Sequence, residues 1–181
     1  MPAYVAMLRG INVAGHKTIR MDHLRELCSG LGFRHVETYV QSGNFVFQTP
    51  ISNPAAVSKR IGETIHHSLG FDAPVIIRTS QQMRNVIVNN PFLKEKDIDS
   101  TKLHVTFLSE TAQKKSLKNL EALSPGPDLF YVAPREIYLY CPGGYGKTRL
   151  SNIAIEKALS VRATTRNWKT TRTLFEMVSK L

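Results

Sequence analysis

The 181-residue chain is 42% apolar and 21% charged and carries a net charge of +10, a composition typical of a soluble globular protein. No apolar run approaches the roughly 20 residues that span a bilayer, and the N-terminus lacks the basic and apolar regions of a signal peptide. The two cysteines, Cys28 on the apolar face of a predicted helix and Cys141 at a strand end, indicate reduced structural thiols rather than a disulfide. We therefore expect a cytoplasmic protein with no membrane partner.

The predicted elements of the first 90 residues alternate between strand and helix. The apolar run Ala3–Leu8 predicts a strand that is buried on both faces. Asn53 followed by Pro54 is typical of a helix start, and Gly70 of a helix end. In chain order the predictions are a strand at 3–8, a loop at 10–19, a helix at 21–31, strands at 35–40 and 44–48 around a turn at 41–43, a helix at 54–69, a strand at 74–78 and a short helix at 80–88.

The same order of elements recurs after a polar connector at 91–101. The predictions are a strand at 103–108, a helix at 111–123, a breaker at 124–127, strands at 129–133 and 136–141, a glycine-rich loop at 142–149, a helix at 151–159, a strand at 161–164 and a closing helix that begins near 168. The sequence therefore predicts an α+β protein, a tandem duplication of a ferredoxin-like βαββαβ plait in which each copy has an extra C-terminal helix. The first copy covers residues 1–90, and the second covers 102–181 with basic C-terminal helices.

The positive charge is concentrated in the last quarter of the chain. Residues 135–181 contain nine Lys or Arg and three Asp or Glu, so they contribute +6 of the total of +10. A field of this sign favours a nucleotide, a nucleic acid, or a phosphorylated or carboxylate-bearing small molecule. The alternative is a basic surface that serves only solubility.

Two loops that combine glycine, a hydroxyl and a cation are the candidate binding segments. One is Gly10–Ile19 after the first strand of copy 1, and the other is Pro142–Arg149 after the third strand of copy 2. We expect strands one and three of each plait to be adjacent and parallel. That arrangement would place the two loops at equivalent edges, beside helix N-termini that favour anions.

The second loop resembles part of a nucleotide-binding P-loop. Gly146-Lys147-Thr148 matches the end of the Walker pattern, but Cys141 stands where the pattern requires its first glycine, and the preceding strand belongs to a hairpin. The loop therefore indicates an anion nest with Lys147 as a point charge rather than a nucleoside triphosphatase. The alternative is a loop whose glycines only make the turn into the next helix.

The segment Arg162–Lys169 is rich in hydrogen-bond donors around one aromatic side chain. Arg166 and Trp168 could hold a base or a phosphate by stacking and charge-assisted hydrogen bonds. The alternative is that Trp168 anchors the core at the start of the last helix. The sequence contains no ligand spacing typical of a metal site and no catalytic constellation, so no metal, cofactor or catalytic residue is predicted.

Four segments together resemble a known family. They are Leu8-Arg9-Gly10-Ile11-Asn12-Val13, Tyr39-Val40-Gln41-Ser42-Gly43-Asn44, Gly146-Lys147-Thr148 and Thr164-Thr165-Arg166-Asn167-Trp168. In this order and spacing the chain is similar to the uncharacterised bacterial family called domain of unknown function 1697. The resemblance implies a cytosolic bacterial protein with a duplicated α+β fold, and it implies no activity, substrate or cofactor. The family pattern would have a second glycine where this chain has Ala14.

These observations favour a binding protein for a nucleotide, a nucleic acid or a phosphorylated small molecule. One alternative is an enzyme acting on a small anionic metabolite, in which Gln41, Ser42 or Tyr145 supplies the proton-transfer chemistry. Another is a structural or protein-interaction module. The predicted ligand-binding residues are Arg9, Asn12, Lys17, Gln41, Ser42 and Asn44 in the first copy, and Tyr145, Gly146, Lys147, Thr148, Arg149, Arg166, Asn167 and Trp168 in the second.

Overall fold

The computed structural model describes residues 1–123 and 126–181, which form two compact units. Unit 1 comprises Met1–Asn85 and Thr173–Leu181, and unit 2 comprises Val86–Arg172. Ser124 and Pro125, part of the predicted breaker, lie outside the described residues. Within the described ranges, no helix has the length and apolar character needed to cross a membrane.

The first half of the chain forms a four-stranded antiparallel sheet with two helices on one face. Its elements are β1 (Ala3–Leu8), α1 (Met21–Gly30), β2 (Arg34–Tyr39), β3 (Asn44–Gln48), α2 (Pro54–Leu69), β4 (Val75–Thr79) and α3 (Ser80–Val88). The strand order is β2-β3-β1-β4. One hydrophobic cluster joins α1 and α2 to the sheet, and it includes the stacked rings of Phe33 and Phe47, whose centroids are 4.6 Å apart.

The second half repeats this arrangement. Its elements are β5 (Leu103–Leu108), α4 (Leu117–Glu121), β6 (Leu129–Val132), β7 (Glu136–Tyr140), α5 (Asn152–Leu159), β8 (Ala163–Asn167) and α6 (Trp168–Val178). The strand order is β6-β7-β5-β8, again with antiparallel neighbours. The two sheets have matching registers, because Tyr4 lies opposite Thr79 in unit 1 and His104 lies opposite Asn167 in unit 2. The predicted α+β fold with a tandem duplication is therefore confirmed.

The structure corrects two details of the predicted elements. The helix expected over 111–123 is only a 3₁₀ turn at Lys114–Ser116 followed by the short α4. Leu120 is the one buried residue of α4, so little of this segment is held by the core. The last strand lies at Ala163–Asn167, later than expected. Helix α2 matches its prediction, since Asn53 Oδ1 accepts from the Ala55 N–H and Gly70 ends the helix in a left-handed conformation.

The predicted parallel pairing of strands one and three is wrong. β1 is antiparallel to β3, and β5 is antiparallel to β7. The reason is the connectivity: a helical crossover returns the second strand parallel to the first, and the tight hairpin that follows reverses the third strand, which inserts between them. The loop after β1 and the loop after β7 consequently lie at opposite ends of their sheets, not at equivalent edges.

Candidate functional site

Six of the predicted binding residues lie at one end of the unit 1 sheet, where β1 ends and β3 and β4 begin. We call this the β1 end, which comprises residues 9–20, 40–44 and 70–74. The Leu8 N–H donates to the Gly43 carbonyl at 2.9 Å, and the Arg9 N–H donates to the Pro74 carbonyl at 2.8 Å. These bonds hold the long loop after β1 against the β2–β3 turn and the segment before β4.

Two of the six residues use their side-chain amides to fix these loops. Asn12 Nδ2 donates to the carbonyls of Gln41 at 2.6 Å and Ile19 at 2.9 Å, and its Oδ1 accepts from the Ile19 N–H at 2.9 Å. The buried Asn44 Nδ2 donates to the Tyr39 carbonyl and to Ser42 Oγ. Asn12 and Asn44 therefore position the loops, while Arg9 is half-buried and Lys17, Gln41 and Ser42 are exposed.

The packing at Gly43 explains why the two sequence segments occur together. Gly43 has φ of +75°, and an added Cβ would lie 2.5 Å from Ile11 Cδ1 and 2.9 Å from Leu8 Cβ. Glycine is thus required both by the left-handed conformation and by the close approach of Ile11. The Gly10-Ile11-Asn12 and Ser42-Gly43-Asn44 segments form one interlocked unit.

The two loops concentrate backbone strain. Of the seven non-glycine residues with positive φ in the described chain, Asn12, Ala14, Lys17 and Val40 lie here. Each left-handed residue other than glycine costs about 1–2 kcal/mol, least for asparagine. Strain of this kind persists only where the surrounding structure imposes it, and it clusters at functional sites.

The Gly10–Gly15 segment presents backbone donors without acceptors. The sign of φ alternates from Gly10 to Ala14, being positive at Gly10, Asn12 and Ala14, and Gly15 is positive as well; such alternation can turn successive N–H groups into an anion-binding concavity. The Asn12 N–H donates to the Lys17 carbonyl at 3.2 Å. Among residues 1–123 and 126–181, no carbonyl or side chain accepts a hydrogen bond from the N–H groups of Gly10, Ile11, Ala14 and Gly15, whereas Val13 pairs with His16.

A cation and a cleft lie beside these donors. Lys17 Nζ donates to the Asp72 carbonyl at 2.6 Å, while the Asp72 carboxylate contacts His66 Nδ1 at 2.9 Å. In the described parts of the chain no carboxylate pairs with the Lys17 ammonium. Asp72 also lines a cleft of ≈ 600 Å³ along the end of α2, and the other lining residues are Lys59, Gly62, Glu63, His66 and His67. This volume lies within the range of small-molecule sites.

The corresponding end of unit 2 has a different character. Arg135 takes the place of Gly43, and its guanidinium donates to the Ser109 carbonyl at 2.7 Å. A smaller cleft of ≈ 280 Å³ there is lined in part by Glu110, Glu156 and Arg162. At this end of the described residues the two units therefore differ, because unit 1 has Gly43 packed on Ile11 where unit 2 has Arg135 bonded to Ser109.

The predicted residues of unit 2 gather at the opposite end of its sheet, where β7 and β8 end and β5 begins. We call this the β7 end, which comprises residues 102–104, 141–152 and 165–168. Gly146, Lys147, Arg149 and Asn167 are exposed, whereas Tyr145 and Thr148 are half-buried. Thr148 Oγ1 accepts from the Leu150 N–H at 3.1 Å and so shapes the entry to α5.

Three of the predicted residues at the β7 end have a role in holding the fold together. Trp168 is only 5% exposed at the start of α6, which is the core position that the sequence left as an alternative. Arg166 is buried, and its Nη1 donates to Thr164 Oγ1 and to the Thr165 carbonyl. Asn167 Oδ1 caps α6 by accepting from the Thr170 N–H at 2.7 Å.

The sequence analysis missed His104 at the β7 end. Its ring stacks on Tyr145, with centroids 4.9 Å apart and planes inclined by 25°. Burial lowers the pKa of His104, and the charge of Lys102 lowers it further, against an opposing hydrogen bond to the Lys102 carbonyl. Aligning the two copies by register would have drawn attention to His104, because its counterpart Tyr4 is buried in the core.

Neither thiol is suited to nucleophilic chemistry. Burial raises the pKa of Cys28 to about 12. Burial, together with the charge of Asp128, raises the pKa of Cys141 to about 11 against an opposing hydrogen bond with Thr148. Both thiols therefore stay protonated and unreactive near neutral pH. Within the described residues, no group of three or more His, Cys, Asp or Glu side chains could hold a metal ion.

Comparison with known proteins identifies the family. The sequence pattern of the family described as "Protein of unknown function (DUF1697)" matches residues 1–138. The chain belongs to this family. No curated protein matches the sequence.

A comparison with solved structures adds a protein of similar fold to the DUF1697 assignment. The chain is similar to the conserved bacterial protein SP0830 from Streptococcus pneumoniae, with a TM-score of 0.78 and 23% sequence identity over 98% of each chain. At this level of identity the similarity establishes the duplicated fold alone. The segments that carry the family resemblance in copy 1 are those that Asn12, Asn44 and Gly43 hold together at the β1 end.

Proposed function

We propose that this protein binds a phosphorylated small molecule or nucleotide at the β1 end of unit 1. The observation that carries the proposal is the group of backbone N–H donors at Gly10, Ile11, Ala14 and Gly15, which have no acceptor in the described chain. Backbone donors in alternating left- and right-handed conformations bind phosphate oxygens. Lys17 supplies the compensating charge, and no carboxylate within the described ranges neutralises it.

The cleft beside Asp72 supports a ligand larger than phosphate alone. Asp72 joins the two parts of the site, because its carbonyl accepts from Lys17 and its carboxylate lines the cleft. A phosphate held by the loop would place the remainder of a sugar phosphate or nucleotide near His66 and His67. Strained loops that are rigidly held before the ligand arrives also reduce the entropy cost of binding.

The test is a titration of the full chain, followed by the backbone amide resonances in nitrogen–proton correlation spectra. The probes are inorganic phosphate, glucose 6-phosphate, AMP and a short oligothymidylate. We expect the amides of Val13, Ala14 and Gly15 to shift with at least one of the first three probes. The same ligand should raise the melting temperature, since stabilisation reaches about 2.7 kcal/mol at a concentration of 100 times Kd.

Two variants make the test specific. Lys17→Gln keeps a hydrogen-bond donor but removes the charge, and we expect it to weaken binding about tenfold, the effect of losing a charge-assisted hydrogen bond. Lys96→Gln in the exposed connector is the matched control and should bind as the wild type does. The proposal would be contradicted if no loop amide resonance shifted with any probe, or if Lys17→Gln and Lys96→Gln bound the ligand with equal affinity. Binding of oligothymidylate alone, with a steep loss of affinity in salt, would instead indicate a nucleic-acid protein.

A further inference from the structure

On the helix-covered face of its sheet, unit 2 has three polar residues near the β7 end, at positions where unit 1 has residues of its hydrophobic core. The polar residues of unit 2 are His104, Thr106 and Thr165, and their counterparts by register in unit 1 are Tyr4, Ala6 and Ile77. The three unit 1 residues belong to the hydrophobic core cluster. Because the two units share one architecture, the fold does not impose polar residues here.

These polar groups form a directed chain of hydrogen bonds. Thr165 Oγ1 donates to Asn152 Oδ1 at 2.7 Å. Thr106 and Thr165 hydroxyls are 2.7 Å apart, and because the Thr165 hydrogen is given to Asn152, Thr106 is the donor. The chain leads from the fully buried Thr106 to the first turn of α5. Burying hydroxyl groups costs stability unless they are hydrogen-bonded, and unit 1 avoids this cost with apolar residues.

His104 presents an uncommitted acceptor at the end of this face. Its Nδ1 lies 3.3 Å from the Lys102 carbonyl, which can only accept, so Nδ1 carries the hydrogen. In the neutral ring, Nε2 therefore keeps its lone pair. The stacked Tyr145 fixes the plane of the imidazole and joins it to the glycine-rich loop.

Two glycines of that loop, Gly143 and Gly146, are not explained by the fold, whereas Gly144 has φ of +92°. Gly143 and Gly146 do not have positive φ, and a Cβ at either position would meet no atom within 4 Å. Glycine at such positions allows another molecule to approach the backbone closely. Lys147 follows directly, is exposed, and has no side-chain partner anywhere in residues 1–123 and 126–181.

We propose that the β7 end of unit 2 is a second binding site, for a small molecule that carries both a phosphate and a hydroxyl group. The ligand hydroxyl donates to His104 Nε2, and its phosphate lies against Gly146 and the Lys147 ammonium. This site is separate from the one proposed in unit 1, and each can be tested without the other.

The experiment compares three probes with the full-length protein: glycerol 3-phosphate, inorganic phosphate and glycerol. The readouts are the His104 ring resonances and the Gly146 amide resonance for unit 2, and the Gly15 amide resonance for unit 1. We expect glycerol 3-phosphate to shift both unit 2 signals at a lower concentration than either of the other probes.

Three variants separate the contacts. His104→Phe keeps an aromatic ring to stack on Tyr145 but removes Nε2, and we expect about a tenfold weaker affinity for glycerol 3-phosphate with no change for inorganic phosphate. Lys147→Gln should weaken the binding of both about tenfold, and Lys114→Gln at the opposite end of the sheet is its control. Gly146→Ala should fold with an unchanged or higher melting temperature, because its site is open, yet bind at least tenfold more weakly.

The outcomes are distinguishable. Unit 2 signals that do not respond to glycerol 3-phosphate, or an unchanged affinity in both His104→Phe and Gly146→Ala, would overturn this inference. If the Gly15 amide still shifts in that case, the proposed function of unit 1 stands. If only the unit 2 signals shift, the second site stands, and the proposal for unit 1 is decided by the titrations with glucose 6-phosphate and AMP.

Discussion

The interlocking of Ile11 and Gly43 can be measured directly by substituting the glycine. Gly43→Ala introduces a Cβ 2.5 Å from Ile11 Cδ1 and forces alanine to adopt φ of +75°. The left-handed conformation costs about 1–2 kcal/mol, and overpacking adds about 1–3 kcal/mol. We therefore expect Gly43→Ala to lower the free energy of unfolding by about 2–5 kcal/mol in urea denaturation.

The matched control is Gly70→Ala. Gly70 has the same φ of +75°, but a Cβ there meets nothing within 4 Å, so only the conformational cost of about 1–2 kcal/mol applies. Ile11→Val removes the clashing Cδ1. In that background Gly43→Ala should cost about 1–2 kcal/mol less than in the wild type, whereas the cost of Gly70→Ala should not change. Additivity of Gly43→Ala and Ile11→Val within about 0.5 kcal/mol would refute the interlocking.

Three further predictions concern residues described above. Ala14 and Gly15 both have positive φ between the paired residues Val13 and His16, as in a two-residue hairpin turn. Glycine adopts positive φ more readily than alanine, so Ala14→Gly should raise the free energy of unfolding by about 1 kcal/mol, and a loss of stability would contradict this. Asn12→Ala removes three hydrogen bonds and should cost about 2–3 kcal/mol and accelerate hydrogen exchange at the Ile19 amide, which an unchanged exchange rate would disprove. Because the folded pKa of His104 lies below its ordinary value of 6.5, the unfolded chain takes up a proton that the folded protein does not. The stability that neutral His104 contributes is therefore complete above pH 6.5 and declines below it, and His104→Phe should show a smaller decline than the wild type in urea midpoints measured across this range.

Local signals were sufficient to predict much of the fold. Helix α2 follows from Asn53 at its start and Gly70 at its end, because caps act within a few residues. The Thr111–Leu123 region was predicted as one helix because its leucines recur at helical spacing. Periodicity cannot indicate where a helix begins when no side chain caps it, so the prediction was too long.

The site was less predictable because its properties depend on residues far apart in sequence. The direction of β3 relative to β1 depends on the crossover and the hairpin together. Because the sequence analysis took the equivalent strands β5 and β7 as parallel, it placed the loop after β7 at the wrong end of its sheet. Arg166 was predicted to contact a ligand, but its side chain is buried at the position opposite Val105 in the sheet. Its counterpart Arg78 is buried opposite Val5 in the same way, so comparing the two copies position by position would have indicated this.

The membership of Thr173–Leu181 in unit 1 has a consequence for how the protein is made. Leu174 and Val178 are buried within this segment, and Gln48 Nε2 on β3 donates to the Leu181 carbonyl at 2.6 Å. During translation, Met1–Asn85 emerge from the ribosome before Thr173–Leu181 are synthesised. The half that is made first therefore completes its packing last, and until then it lacks the apolar cover of Leu174 and Val178.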